Sequence, residues 1–85
     1  MDLPVTSQQY DVVRTAKHLP DVLRNVLDTA QRRDGGYVLR LTYEEATALN
    51  ELCSWNVRTD ADGNVVAESK PFDDLVRAIL MHPDF

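Results

Sequence analysis

Residues 35–45, GGYVLRLTYEE, constrain the fold more than any other stretch of this sequence. The two leading glycines can adopt the positive φ that ends a helix. Residues 37–41 are few and rich in Tyr, Val and Leu, which predicts a β-strand. Thr42 and Glu45 then have the spacing of a capping box, in which each residue bonds the backbone N–H of the other. The stretch therefore predicts a helix, a strand and a second helix in direct succession.

The N-terminal third of the chain shows the periodicity of an amphipathic helix. Its apolar side chains recur at steps of three and four residues: Val12, Val13, Ala16, Leu19, Val22, Leu23, Val26, Leu27 and Ala30. Thr6 and Gln9 predict a capping box at its start. Pro20 interrupts the pattern without changing its phase, so it either kinks one helix or separates two abutting helices. The pattern predicts a long kinked N-terminal helix over residues 7–33.

The C-terminal half predicts two further helices with an arm between them. Residues 43–55 have a narrow apolar face, and a last helix opens at residues 69–71 and stops at Pro83. Within residues 57–67, Asp62-Gly63 is a hairpin signal, but its flanks are only moderately strand-like, so a hairpin and an ordered loop both remain open. We therefore expect a helix-rich α+β fold with a short strand or a small antiparallel sheet, in a single domain over residues 1–85.

Length and cysteine content limit the protein class. A chain of 85 residues has room for one modest core. Cys53 is its only cysteine, which excludes an internal disulfide and the framework of a small secreted domain. The N-terminal residues lack the apolar core of a signal peptide, and no apolar run reaches the length of a membrane span. The expected location is the cytoplasm, with no membrane association.

The charge of −5 is unevenly distributed along the chain. Residues 1–42 carry six basic and five acidic side chains, whereas residues 43–85 carry three basic and nine acidic ones. An acidic half repels phosphate at long range, which argues against direct nucleic-acid binding. It would suit a basic protein partner, although such acids can also simply keep a small domain soluble. An unpaired strand edge would also permit self-association.

Two patterns suggest chemistry but fit it poorly. Asp60, Asp62 and Gly63 resemble the centre of an EF-hand calcium loop, yet that alignment puts Arg58 at the first ligand position and Ser69 at the twelfth. A turn stabilised by an Asp side chain explains them better. Cys53 has no histidine close by in sequence to act as its base, which indicates a buried structural thiol. We expect no enzyme, no cofactor and no metal.

The remaining candidates are surfaces for protein binding. The expected contact residues are large rings and the acids that have no capping duty at a helix start: Trp55, Tyr37, Tyr43, Asp60, Asp62 and Glu68. They predict a small acidic protein-interaction module, such as an adaptor, a regulatory subunit or an inhibitor. The alternative is a nucleic-acid-linked regulator, including an acidic DNA mimic that binds a DNA-binding protein.

Overall fold

The computed structural model describes residues 1–85 and contains a three-stranded antiparallel sheet packed against four α-helices. The strands are β1 (Asp2–Thr6), β2 (Gln31–Arg33) and β3 (Gly36–Arg40). The helices are α1 (Ser7–Arg14), α2 (Asp21–Asp28), α3 (Tyr43–Asn56) and α4 (Lys70–Leu80), with a 3-10 turn at Ala67–Ser69 before α4. The α+β class and the small antiparallel sheet are confirmed. No helix in the structure is both long enough and apolar enough to cross a bilayer.

The central strand of the sheet is β3, which pairs with β1 on one side and β2 on the other. In the β1–β3 register, Leu3 lies opposite Leu39 and Val5 lies opposite Tyr37. Residues directly opposite each other share a face, so these four side chains point towards the helices. The alternate positions of β1 are exposed, which gives the sheet one buried and one solvated face.

The turn between β2 and β3 corrects the interpretation of the glycine pair. Asp34 and Gly35 have φ values of 47° and 80°, and they connect Arg33 directly to its pairing partner Gly36. Two residues of positive φ match the right-handed twist of a two-residue hairpin. The glycines therefore belong to a β-hairpin, and the preceding helix has already ended at Asp28.

The predicted long kinked helix over residues 7–33 is wrong. Its first part is two short helices, α1 and α2, joined by residues 15–20, and its end is the strand β2. Proline restricts Leu19 to extended backbone, and Pro20 itself is the N-cap of α2 with ψ 148°. His18 adopts φ 63°, a left-handed conformation that no continuous helix contains. Pro20 thus separates two helices.

The helix predicted over residues 43–55 is confirmed, since α3 extends only one residue further. Residues 57–66 form a loop in which a single bridge joins Thr59 and Val65, so the segment is not a regular hairpin. The last helix is also confirmed, although it ends at Leu80, before Pro83.

One hydrophobic core lies between the buried sheet face and the helices. Its buried apolar side chains come from β1, β3 and all four helices: Leu3, Val5, Tyr10, Val13, Leu23, Val26, Leu27, Leu39, Leu41, Ala46, Leu49, Leu52, Cys53, Phe72, Leu75 and Ile79. These elements therefore share a single core.

The capping box at the start of α3 generates a stability prediction. The Thr42 hydroxyl accepts from the Glu45 N–H at 3.1 Å, and the Thr42 N–H donates to Glu45 Oε1 at 2.8 Å. We expect Thr42→Ala to lower the free energy of unfolding by about 1 kcal/mol in a denaturant titration, because an amide loses its acceptor.

Thr47→Ala is the matched control, because the Thr47 hydroxyl only bonds back to the Tyr43 carbonyl within the same helix. This variant should be as stable as the wild type or slightly more stable. Equal stability of all three proteins would contradict the capping role of Thr42.

Candidate functional site

A groove of about 590 Å³ separates the loop between α1 and α2 from the C-terminal half of α3. We call it the Trp55 groove, and its lining residues come from both sides: Lys17, His18 and Pro20 from the loop, Ala48, Glu51, Leu52, Trp55 and Asn56 from α3, and Arg58 from the chain that follows. It contains the largest exposed ring of the molecule, which makes it the candidate interaction surface.

Trp55 is 87% exposed although tryptophan is one of the most hydrophobic side chains. Its exposure follows from its position on α3. Leu49, Leu52 and Cys53 face the core, whereas Ala48 and Trp55 lie beside Leu52 on the neighbouring helix stripe. The indole N–H makes no hydrogen bond within the protein. The ring thus offers both an apolar face and a free donor to a binding partner.

The wall opposite Trp55 depends on the backbone of residues 15–20. Its residue His18 has a positive φ, a conformation that is uncommon outside glycine but that histidine, like asparagine and aspartate, adopts more often than other residues. The extended N-cap Pro20 then starts α2 in a new direction. Together these two residues separate α1 from α2 and direct the chain into α2.

The groove contains charges of both signs that have no partner within the chain. The side chains of Arg14, Arg24, Arg40 and Arg77 each lie within 4.0 Å of a carboxylate. Lys17 and Arg58 have no such contact, and neither has Glu51. Ion pairs to these groups are therefore available to a partner.

Two acids of the arm, Asp60 and Asp62, follow the groove residue Arg58 closely in sequence. Asp60 is two residues from Arg58, which limits their Cα separation to about 7 Å, and Asp62 is within about 14 Å. Asp62 and Glu68 are exposed. Asp60 caps no helix but stabilises its own turn, since its Oδ1 accepts from the N–H groups of Asp62 at 2.9 Å and Asn64 at 3.0 Å.

The two predicted tyrosines lie outside the groove. Tyr37 is half-buried in β3 and stacks on Tyr10 with 3.9 Å between ring centroids, which gives it a packing role. Tyr43 is 67% exposed and stacks on Phe85 at 5.3 Å. It lies twelve residues before Trp55 on the same helix, a rise of roughly 18 Å. The structure therefore does not bring the six predicted contact residues into one site.

The interior shows no arrangement for nucleophilic chemistry. Cys53 is fully buried, and burial raises the pKa of its thiol from 9.0 to about 12, so the nucleophilic thiolate is suppressed at neutral pH. No group of three or more His, Cys, Asp or Glu side chains has the geometry to hold a metal ion. The Asp60 turn is an Asx turn, as the sequence predicted.

Sequence reasoning identified Trp55 and missed the residues around it. Ala48, Leu52 and Trp55 follow the four- and three-residue steps of one helix face, a signal that could have extended the apolar stripe to the tryptophan. Lys17 gives no such signal, because only the break between α1 and α2 brings it to α3. No known protein family, curated protein or solved structure matches this chain.

The buried thiol predicts a pH dependence of stability. Between pH 9 and pH 12 Cys53 ionises in the unfolded chain and stays protonated in the fold, so rising pH favours unfolding. We expect the free energy of unfolding to fall by up to about 1.4 kcal/mol per pH unit from this group. Denaturant titrations of wild type and Cys53→Ala from pH 8 upwards should give a shallower pH slope in the variant; identical slopes would contradict the burial.

The Asx turn predicts that calcium has no effect on stability. Millimolar calcium should leave the melting temperature unchanged, since a ligand of the folded state alone would raise it. Asp60→Ala should lower the free energy of unfolding by about 1 kcal/mol, whereas Asp60→Asn keeps the acceptor oxygen and should stay near wild type. A calcium-dependent rise in melting temperature that Asp62→Ala abolishes would instead establish a metal site.

Proposed function

We propose that this protein is a small, acidic, non-catalytic interaction module that binds another protein through the Trp55 groove. The single observation that carries the proposal is the 87% exposure of Trp55 at the rim of a groove. Tryptophan is the residue type most enriched among interface hot spots, because one ring buries a large area at little cost in side-chain entropy. Folding gains little from a tryptophan that stays in water.

The surroundings of Trp55 also support a protein partner. Leu52 and Ala48 provide an apolar floor, and the rim carries Lys17, Glu51 and Arg58. An apolar centre with a charged rim is the usual anatomy of a protein interface. The buried, protonated state of Cys53 supports the non-catalytic part of the proposal.

The proposal predicts that Trp55→Ala removes binding without loss of stability. Tagged wild-type protein should capture a partner from an extract of the source cells, and quantitative mass spectrometry should show that the variant captures roughly thirtyfold less, the effect of a hot spot worth about 2 kcal/mol. The melting temperature should stay near wild type, because surface substitutions usually change stability by less than about 0.5 kcal/mol.

Met81→Ala is the matched control, since Met81 is 82% exposed and lies after α4, outside the groove. It should capture the partner like wild type. Equal capture by all three proteins would refute a binding role for Trp55. If the captured protein binds DNA and duplex DNA displaces it, the partner belongs to the nucleic-acid-linked class.

A further inference from the structure

The charges around the Trp55 groove do not suit a partner of one sign. Lys17 and Arg58 would attract an acidic segment, whereas Glu51 on the same groove and Asp60 and Asp62 on the adjoining turn would repel it. A basic segment would be attracted by these acids and repelled by Lys17 and Arg58. Since neither cation has an ion pair within the chain, both signs are available together. A complementary partner therefore has to present both signs itself.

A second copy of this chain has that property. A two-fold axis brings the same patch of both protomers together, so that a contact between one residue and a different residue of the other protomer forms twice. In a dimer whose axis passes between the cations and the acids, Lys17 and Arg58 of each protomer would meet Glu51 and Asp62 of the other, and the two Trp55 rings would cover the apolar floor. The same contacts form twice, which makes a mixed-charge patch self-complementary.

The sheet offers little alternative for pairing with another chain. The outward backbone groups of β1 belong to Asp2, Pro4 and Thr6, because Leu3 and Val5 bond inward to β3. The Asp2 carbonyl accepts from His82 Nε2, and the Thr6 N–H donates to Gln9 Oε1. Pro4 has no N–H to donate, so this edge is a poor template for strand addition.

The other edge strand, β2, is too short to pair stably with a strand of a second copy. Strand β2 has three residues, two of which are arginines. Like charges on facing copies of such a strand would repel each other. Association through the sheet is thus disfavoured at both edges.

We propose that the Trp55 groove is the interface of a symmetric homodimer, in which Lys17 and Arg58 of one protomer pair with Glu51 and Asp62 of the other. This inference rests on the proposed function, because it names the occupant of the same surface. It also gives a chain of 85 residues additional buried apolar area, which small domains often gain by oligomerisation.

The first test is the mass of the wild-type protein. Sedimentation equilibrium from about 10 μM to about 1 mM, at about 0.15 M salt, should show the mass rising from 9.6 kDa to twice that value. Trp55 is the only tryptophan, so its emission should move to shorter wavelength over the same range. A monomer with unshifted emission at the highest concentration would overturn the proposal.

The second test exchanges the charges. Lys17→Glu/Arg58→Glu makes the patch acidic, and Glu51→Lys/Asp62→Lys makes it mainly basic. Each variant alone should dimerise at least about tenfold more weakly than wild type through like-charge repulsion. An equimolar mixture should regain the dimer, because opposite charges then face each other at both contacts. Failure of the mixture to recover, with both variants folded by circular dichroism, would overturn the proposal.

Arg32→Glu/Arg33→Glu is the control, because it changes the net charge as much as the acidic variant and leaves the groove unaltered. It should dimerise within about threefold of wild type, since only screened long-range repulsion increases. The two proposals fail separately. A monomeric wild type that still captures a foreign protein through Trp55 refutes the homodimer and retains the interaction module.

Discussion

The pairing of β1 with β3 is the contact on which the rest of the structure depends. It joins residues thirty to thirty-eight positions apart, from Thr6 opposite Gly36 to Asp2 opposite Arg40. β1 runs directly into α1, and β3 is followed by α3 after two residues. Each helix begins with a capping box, at Thr6 for α1 and at Thr42 for α3. The register of one strand pair therefore fixes where two helices begin and which of their faces meet the core.

The register of β1 and β3 depends on a close approach of the two backbones at Gly36. A Cβ atom on Gly36 would collide with the carbonyl oxygen of Val5 on the neighbouring strand. Any larger residue would push β1 away from β3 and separate Leu3 and Val5 from the core. Gly36 is thus needed for strand contact, whereas its neighbour Gly35 forms the turn together with Asp34.

Elements whose determinants are local could be predicted from the sequence. The capping box, the acidic first turn and the apolar face of α3 all lie within the helix or next to it. The predicted helix, residues 43–55, is one residue shorter than the observed one. Strands β1 and β2 have no such determinants. β2 is three exposed residues, and β1 contains Pro4 and depends on a partner thirty or more residues away. Strand pairing of this kind is a tertiary property that local patterns do not encode.

The error over residues 7–33 has a related cause. An apolar stripe reports which side chains face the core, and α1 and α2 place Val13 and Leu23 in the same core although they are separate helices. The apolar periodicity thus keeps its phase across Pro20 because both helices face the same core, and not because they form one continuous helix. His18 lies on the wall of the groove, and its positive φ cannot be predicted from the spacing of apolar residues.

The break between α1 and α2 also explains why the candidate site could be predicted only in part. Trp55 stands out in the sequence by its residue type, but Lys17 reaches its neighbourhood only because the chain turns at His18 and Pro20. The same turn places a cation from the nearly neutral half of the chain beside the acids of the other half. A surface with both signs discriminates more than a uniformly acidic one, since a misaligned partner meets like charges as well as unlike ones. The two halves of the chain differ in charge, and groups from both halves line this groove. Its charge pattern would therefore limit the orientations in which a partner could bind.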